Sequence, residues 1–407
     1  MASFTDVMRE QLQTAYQQSG LRGCREVLQS SLNEWQHTAM NVAVTGRTNG
    51  GKSSLINVFI GRDQYHGGAA VGITETTKEI RSYTHPHNDQ LVFTDLPGVG
   101  SLTFKRETYL KVIKVDKYDF FLLVTSDTFH EDDAWLATEL NKRNKPFFFV
   151  RTHIDENVRN DKRDTGERHN ENQVVAKIRA YMEGQLRQVG AEYDPASPPD
   201  VRVFLIANNQ VSKYDYPRLF KQFIENFPVV KREALLLTMR TQTKAMVDMK
   251  VECLRQSIWK AAAISAAVAT IPIPGTSFVA DAAILLHEMR FYYEQLGLDD
   301  ESLQHLATGV EVSRLQAVVR RAFNINVMTA TVQDLGALLC MFGITMALFK
   351  AESALEAGIA VAIPVIGQAL AASMSYGTTY WMLRKILDQM HVVAKEVMDV
   401  ALELRDA

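Results

Sequence analysis

Val42–Ser53 reads VAVTGRTNGGKS, an apolar strand pattern that runs into G-x-x-x-x-G-K-S, and this stretch decides the fold of the chain. The residues that follow, 54–59, have the apolar pattern of a helix. Such a loop binds polyphosphate, because its glycines let successive backbone N–H groups turn inward around the phosphates. The positive end of the helix dipole adds to this attraction. The stretch therefore predicts a phosphate-binding loop between a strand and a helix.

Each position of this loop receives a predicted role. Lys52 neutralises the outer phosphates and assists the reaction, and the hydroxyl of Ser53 holds Mg²⁺. The full predicted phosphate site consists of Gly46, Asn49, Gly50, Gly51, Lys52, Ser53 and Ser54.

A second motif follows at the end of another apolar strand. Leu91–Thr94 leads into Asp95-Leu96-Pro97-Gly98, a D-x-x-G sequence. The carboxylate of Asp95 is predicted to hold a Mg²⁺ water, and the N–H of Gly98 to meet a γ-phosphate. The residue after Gly98 is Val99, where Ras-type enzymes carry a glutamine that orients the attacking water. Hydrolysis must therefore rely on Lys52, on Mg²⁺ and on a group from another loop or another molecule.

Two later strand ends supply the predicted contacts to the base. Pro146–Arg151 leads into Thr152-His153-Ile154-Asp155, a form of T/N-K-x-D, and Asp155 can accept hydrogen bonds from both guanine N1 and N2. His153 replaces the usual lysine, and its imidazole can stack on the base. After strand 201–206, Ala207 and Asn208 are placed to offer a backbone N–H to guanine O6. GTP and GDP are the predicted ligands.

Taken singly, Asp95, Asp155 and Asn208 also fit the role of helix or turn caps. Only their order behind a phosphate loop favours a nucleotide site.

The hydrophobic pattern divides the chain. Residues 40–228 alternate strands and helices, which predicts a Ras-like α/β domain with a mostly parallel sheet covered on both faces. Residues 1–39 and 229–407 have helical patterns and are predicted to form one all-α domain. Residues 229–267 lack Pro and Gly, which predicts one long helix leaving the GTPase domain.

Composition excludes several classes of function. The chain has 407 residues, a formal net charge of −3 and only three cysteines. A net negative charge argues against nucleic acid as a partner, because duplex binding needs concentrated Lys and Arg. Three scattered cysteines suggest neither a disulfide framework nor a metal cluster, so a cytoplasmic location is expected. The first residues show no signal peptide pattern, and Ala2 excludes N-myristoylation.

These motifs together resemble the immunity-related (interferon-inducible) GTPases. The resemblance rests on the phosphate loop, on 67–70 (GGAA), 72–77 (GITETT), 95–101 (DLPGVGS) and 118–121 (YDFF), and it covers nearly the whole chain. It implies a dynamin-like GTPase of cell-autonomous defence that assembles on pathogen-containing vacuoles. Lys52 resembles the effector class of that family, which carries lysine rather than methionine there.

The resemblance also implies roles in the first switch region. Thr77 is the expected ligand of Mg²⁺ and the γ-phosphate, with Thr76 as the alternative. Glu75 is the candidate for activating water or bridging to a second GTPase domain, unless it is only a solvated loop charge. Self-association through the nucleotide face is expected.

Two uncharged stretches, 261–280 and 357–383, are long enough to reach across a bilayer, since about 20 apolar residues suffice. Their Ala, Gly, Ser and Pro content favours buried helices over peripheral or hairpin membrane contact, and over spanning. Two alternatives to the active GTPase therefore remain. One is a low-turnover GTP/GDP switch or scaffold, and the other is a membrane-inserting helical protein regulated by its GTPase domain.

Overall fold

The protein is described here from a computed structural model. The model describes residues 34–47, 49–62, 64–71, 79–99, 104–128, 130–189, 203–211, 213–227, 229–269, 276–307, 310–344 and 366–406, and scattered positions between 10 and 30. The chain divides into two compact units. One is Trp35–Thr243, and the other combines Met1–Glu34 with Lys244–Ala407.

The unit Trp35–Thr243 is built on one six-stranded sheet in the order β2-β3-β1-β4-β5-β6. Neighbouring strands pair in parallel, except that β2 runs antiparallel to β3. The strands are β1 (Met40–Thr45), β2 (Arg81–His85), β3 (Asn88–Asp95), β4 (Phe120–Thr125), β5 (Phe147–Arg151) and β6 (Val203–Leu205). This topology confirms the predicted Ras-like α/β fold. It also brings the carboxyl ends of β1, β3, β4, β5 and β6 to one edge, where ligands of such sheets bind.

Helices cover both faces of this sheet. They are α1 (Lys52–Ile60), α2 (Arg106–Ile113), α3 (Glu131–Lys142), α4 (Ile154–Thr165), α5 (Glu171–Val189), α6 (Tyr216–Glu225) and α7 (Val229–Thr238). Successive phenylalanines along β4 and β5 pack against opposite faces of the sheet. Phe120 and Phe148 contact a cluster of rings that includes Phe223, whereas Phe121 and Phe149 belong to a separate cluster with α2, α3 and α5. The strands are therefore buried on both faces, as a parallel sheet requires.

The predicted single helix over 229–267 is wrong. Helix α7 ends at Thr238 and the next helix begins at Lys244. The hydroxyl of Thr238 donates to Ala234 O at 2.6 Å and accepts from the Asn88 amide at 2.9 Å, and Met239 is buried. The helix ends beside this contact with β3, although neither Pro nor Gly marks a break in the sequence. The boundary between the two units consequently falls after Thr243 rather than after Pro228.

The second unit is helical in its described parts. Its helices are α8 (Lys244–Ala269), α9 (Thr276–Gln295), α10 (Asp300–Leu306), α11 (Val310–Ala322), α12 (Leu335–Met341) and α13 (Ile366–Asp406). The buried hydroxyl of Ser265 on α8 donates to Asp281 on α9 at 2.5 Å and contacts Ser375 and Thr379 on α13 at 2.5 and 2.8 Å. This polar node ties three helices together. In the described residues, no helix has the length and apolar character needed to cross a membrane.

Candidate functional site

The phosphate loop lies between the end of β1 and the start of α1. Gly46 has φ 139°, and a Cβ atom there would lie 1.9 Å from Val124 O. No side chain fits at that distance. The backbone then turns, with Gly50 N donating to Arg47 O at 3.2 Å and Asn49 in the left-handed region at φ 62°. Gly51, at φ 81°, is the N-cap of α1.

Side chains from the segments that follow β5 and β6 hold this loop. The hydroxyl of Thr152, which is fully buried, donates to Gly50 O at 2.8 Å. The amide nitrogen of Asn208 donates to Gly51 O at 3.2 Å. A Cβ atom on Gly51 would lie 3.1 Å from the Thr152 hydroxyl and 3.2 Å from the Asn208 nitrogen. These two bonds, which we call the loop clamp, fix the carbonyls of Gly50 and Gly51 to the segments that follow β5 and β6.

Lys52 and Ser53 begin α1 beside Asp95 at the end of β3. The Lys52 ammonium donates to Arg47 O at 3.0 Å and its side chain is buried. The Ser53 hydroxyl donates to a carboxylate oxygen of Asp95 at 2.8 Å. A hydroxyl and a carboxylate are hard oxygen donors of the kind Mg²⁺ accepts, together with phosphate oxygens and waters. The Ser53–Asp95 pair therefore fits a Mg²⁺ ion that takes its other ligands from phosphate oxygens and waters.

Gly98 packs directly against the phosphate loop. A Cβ atom on Gly98 would lie 2.9 Å from Gly46 O and 3.5 Å from the Cα of Arg47. Glycine is therefore required at this approach. Val99 turns toward the apolar cluster beneath α2, against which its side chain packs. The position that carries a water-orienting glutamine in Ras-type enzymes thus presents a packed aliphatic side chain here.

Tyr109 on α2 supports both loops and was not found from the sequence. Its hydroxyl donates to Pro97 O at 2.8 Å and lies 2.7 Å from the hydroxyl of Thr45, which is the last residue of β1. Because Tyr109 gives its single proton to Pro97, Thr45 is the donor in the second bond. Burial raises the pKa of Tyr109, so the phenol stays protonated. One side chain therefore links the D-x-x-G loop to the strand before the phosphate loop.

We expect Tyr109→Phe to destabilise the protein by about 1–3 kcal/mol, because it leaves the buried Thr45 hydroxyl and Pro97 carbonyl without their shared partner. Urea unfolding measures the change. Tyr181→Phe, at a tyrosine that is 46% exposed on α5, is the control and should unfold as the wild type does. An unchanged midpoint for Tyr109→Phe would contradict the supporting role.

The predicted base contacts meet at the ends of β5 and β6. Ile154 N donates to Ile206 O at 3.3 Å, which sets the T-H-I-D turn beside Ala207. Asp155 lies in the first turn of α4 with its side chain 10% exposed, and it accepts from the Asn209 amide at 3.1 Å and from Arg159 at 3.4 Å. His153 is half-buried in the left-handed region at φ 58°. Sequence reasoning used the A-N-N segment only for its backbone and missed the Asn209 side chain.

The remaining predicted residues divide into two groups. Ser54 lies in the first turn of α1, and Ala207 is fully buried. Glu75, Thr76 and Thr77 lie outside the described residues. The structure also shows a contact at the loop that the sequence did not predict, since Arg47 donates to the His130 ring at 2.6 Å beside the N-terminus of α3.

A Ras-like sheet, a glycine-dependent phosphate loop, a Ser–Asp pair and a T-x-x-D turn at one sheet edge define a P-loop GTPase. A family model described as "Interferon-inducible GTPase (IIGP)" matches residues 5–363. The chain belongs to the interferon-inducible GTPase family, and it is a GTPase.

Named relatives cover most of the chain. Interferon-inducible GTPase 5 of Rattus norvegicus is 32% identical over 403 residues, which are 97% of this chain and 82% of that protein. Interferon-inducible GTPase 1 of Mus musculus is 33% identical over 296 residues, which are 72% of this chain and 70% of that protein. Among solved structures, the bacterial dynamin GTPase LeoA aligns with 98% of this chain and 94% of its own, at 13% identity and a TM-score of 0.37.

Proposed function

We propose that this GTPase binds Mg²⁺·GTP at the edge formed by β1, β3, β5 and β6, and that GTP-bound molecules associate through their nucleotide faces to complete one another's active sites. The observation that carries the proposal is the packing of Val99 against the apolar cluster. A water-orienting group must then come from elsewhere, and a second molecule at the nucleotide face is one source of it.

The residues predicted from the sequence divide the work of the site. Backbone N–H groups of the glycine-rich loop bind the phosphates, Lys52 neutralises charge on the transferred phosphoryl group, and Gly98 directs its N–H toward the γ-phosphate. Mg²⁺, held by Ser53, Asp95 and Thr77, supplies electrostatic stabilisation of the phosphate oxygens when bound. Asp155 selects guanine, Ala207 offers its N–H to the base, and the His153 imidazole stacks on the base. Glu75 is assigned to the attacking water or to a bridge between two molecules.

The proposed cellular role is innate immunity at intracellular membranes. The name of the family supports the immunity part of this role. The membrane part rests on the resemblance to dynamin-like members that assemble on vacuoles. Binding is peripheral in this proposal.

The test is phosphate release from GTP per molecule across a wide range of protein concentrations, with ATP as the control substrate. We expect the specific rate to rise with protein concentration and ATP to remain uncleaved. A rate that is independent of concentration would overturn the shared active site.

A low-turnover switch or scaffold is the second candidate, and the same Val99 packing favours it, since the chain can bind GTP without positioning a water. It predicts stoichiometric GTP binding with a flat, near-zero rate at every protein concentration.

A further inference from the structure

After β6, the chain forms a short loop that returns to the strand it has just left. Leu205 ends β6, and Asp215, ten positions later, is the N-cap of α6. Asp215 N donates to Leu205 O at 2.9 Å, and a carboxylate oxygen of Asp215 accepts from Leu205 N at 2.8 Å. We call these two bonds the Asp215 lock, and the described residues within 206–214 the base loop.

The Asp215 lock is also held from α5. The carboxylate oxygen that accepts from Leu205 accepts from the Arg179 guanidinium at 2.5 Å, and the Asp215 side chain is 12% exposed. An N-cap aspartate ordinarily bonds to the first N–H groups of its own helix. Asp215 makes no such side-chain bond to α6. Its carboxylate instead joins α5 to β6 at the point where the base loop closes.

The backbone of the base loop is closed by two successive turns and a left-handed residue. Gln210 N donates to Ala207 O and Lys213 N donates to Gln210 O, each at 3.0 Å. Tyr214 then has φ 53°, a conformation that a bulky L-residue rarely adopts. Such a conformation persists only where the surrounding structure imposes it. The residue directly after this reversal is Asp215, which meets β6.

The Tyr214 side chain anchors the reversal to α4 and α5. It packs against the apolar cluster of α2, α3 and α5. Burial, followed by the charge and hydrogen bonding of Glu171 and the charge of Asp155, raises the pKa of the Tyr214 phenol to about 12. The phenol therefore stays protonated, and it lies near the carboxylate that is predicted to read the base.

The base loop carries the residues that reach the nucleotide site from β6. The N–H of Ala207 is the proposed donor to guanine O6. The amide of Asn208 belongs to the loop clamp, and the amide of Asn209 donates to the Asp155 carboxylate at 3.1 Å. The orientation of the Asp155 oxygens therefore depends on where the base loop holds Asn209.

We propose that Asp215 is a positioning residue for guanine selection, because its lock on β6 fixes the base loop and, through Asn209, the Asp155 carboxylate. Asp155 must meet the N1 and N2 donors of guanine at the same time, and a hydrogen bond weakens steeply when its angle is poor. A base loop that moves relative to β6 still admits guanine but discriminates poorly against a base that lacks one donor. This inference rests on the proposed role of Asp155 in selecting guanine.

The test compares the affinities of the full chain for GTP and ITP, since hypoxanthine keeps the N1 donor and O6 of guanine but lacks the 2-amino group. Asp215→Ala removes the carboxylate, and we expect it to lower the ratio of GTP affinity to ITP affinity on the order of tenfold. Asp215→Asn keeps an oxygen that can accept from both Leu205 and Arg179, so it should retain the wild-type ratio. Glu225→Ala, at an exposed acid on α6, is the matched control.

A second comparison asks whether the effect passes through Asn209. Asn209→Ala, at an exposed residue, should lower the same ratio. Because the two residues act through one carboxylate, the double variant Asn209→Ala with Asp215→Ala should lower the ratio no further than the stronger single variant does.

Amide hydrogen exchange checks the fold of the Asp215→Ala variant. We expect faster exchange in peptides from 206–214 and wild-type exchange in β1 and α1. If this variant does not fold, Tyr214→Gly provides the test, because it frees the reversal while Asp215 keeps its carboxylate. We expect it to lower the ratio of GTP affinity to ITP affinity as well.

Three results would overturn the inference, and they differ in what else they remove. A wild-type protein that binds ITP as tightly as GTP would remove the proposed role of Asp155 together with that of Asp215. Wild-type discrimination that Asp215→Ala and Tyr214→Gly leave unchanged would remove the role of Asp215 alone. An equal loss of GTP and ITP affinity would also remove it, because the lock would then support the fold of the site and not the choice of base.

Discussion

We expect Lys52→Ala to lower the rate of GTP hydrolysis strongly and to abolish GTP-driven assembly. The ammonium is the only side-chain cation placed within the phosphate loop sequence besides Arg47, and Arg47 is directed to His130. Lys52 is buried at the first position of α1, with its ammonium 3.0 Å from Arg47 O. Alanine removes a positive charge from a site of low dielectric, where it interacts strongly with the outer phosphates.

The expected loss in the rate of phosphate release is on the order of 10²–10³-fold at saturating GTP, with weaker binding of GTP in a fluorescence titration. Lys177→Ala, at an exposed lysine on α5, is the control and should hydrolyse GTP at the wild-type rate. Light scattering with GTP measures assembly. If the Lys52 variant assembled as the wild type does, nucleotide would not be the driver of association.

Asp155→Asn is expected to change the preferred base from guanine to xanthine. The Asp155 carboxylate is 10% exposed and is oriented by Asn209 and Arg159. It can accept from both guanine donors, whereas asparagine presents a donor toward the guanine amino group and an acceptor only to N1. Xanthine carries an oxygen where guanine carries that amino group, so it pairs with the asparagine amide. An unmatched buried donor is strongly rejected.

We expect GTP affinity to fall by at least about 100-fold and XTP affinity to exceed it in the variant. Competition between labelled GTP and XTP measures both. Asp164→Asn, on the same helix with its side chain 66% exposed, is the control and should leave the preference for GTP unchanged. Retention of GTP preference by the Asp155 variant would show that the base is read elsewhere.

The fold could be predicted because its signals are local. The phosphate loop, the D-x-x-G loop and the T-x-x-D turn each follow an apolar strand directly, and parallel strands bring their carboxyl ends to one edge. The two base-side residues Thr152 and Asn208 were singled out as contacts to nucleotide, and the structure shows in addition that their side chains bind the phosphate loop.

The features that sequence reasoning missed depend on contacts between distant segments. Tyr109 reads as an ordinary aromatic of a helix until Pro97 and Thr45 are seen beside its hydroxyl. The end of α7 lies at the bond between Thr238 and Asn88, which joins residues 150 positions apart and has no local signal in the sequence.

We expect the loop clamp to make base recognition and phosphate recognition cooperative. Thr152 and Asn208 follow the strands that deliver the base-side residues, yet their side chains bond to the carbonyls of Gly50 and Gly51. Ordering of the base-side segments therefore restrains the phosphate loop, and the reverse also holds. When GTP binds at both, the conformational entropy of the site is lost only once. Guanosine or inorganic triphosphate, added separately, would have to order the whole site with the contacts of one half, so each should bind much more weakly than GTP.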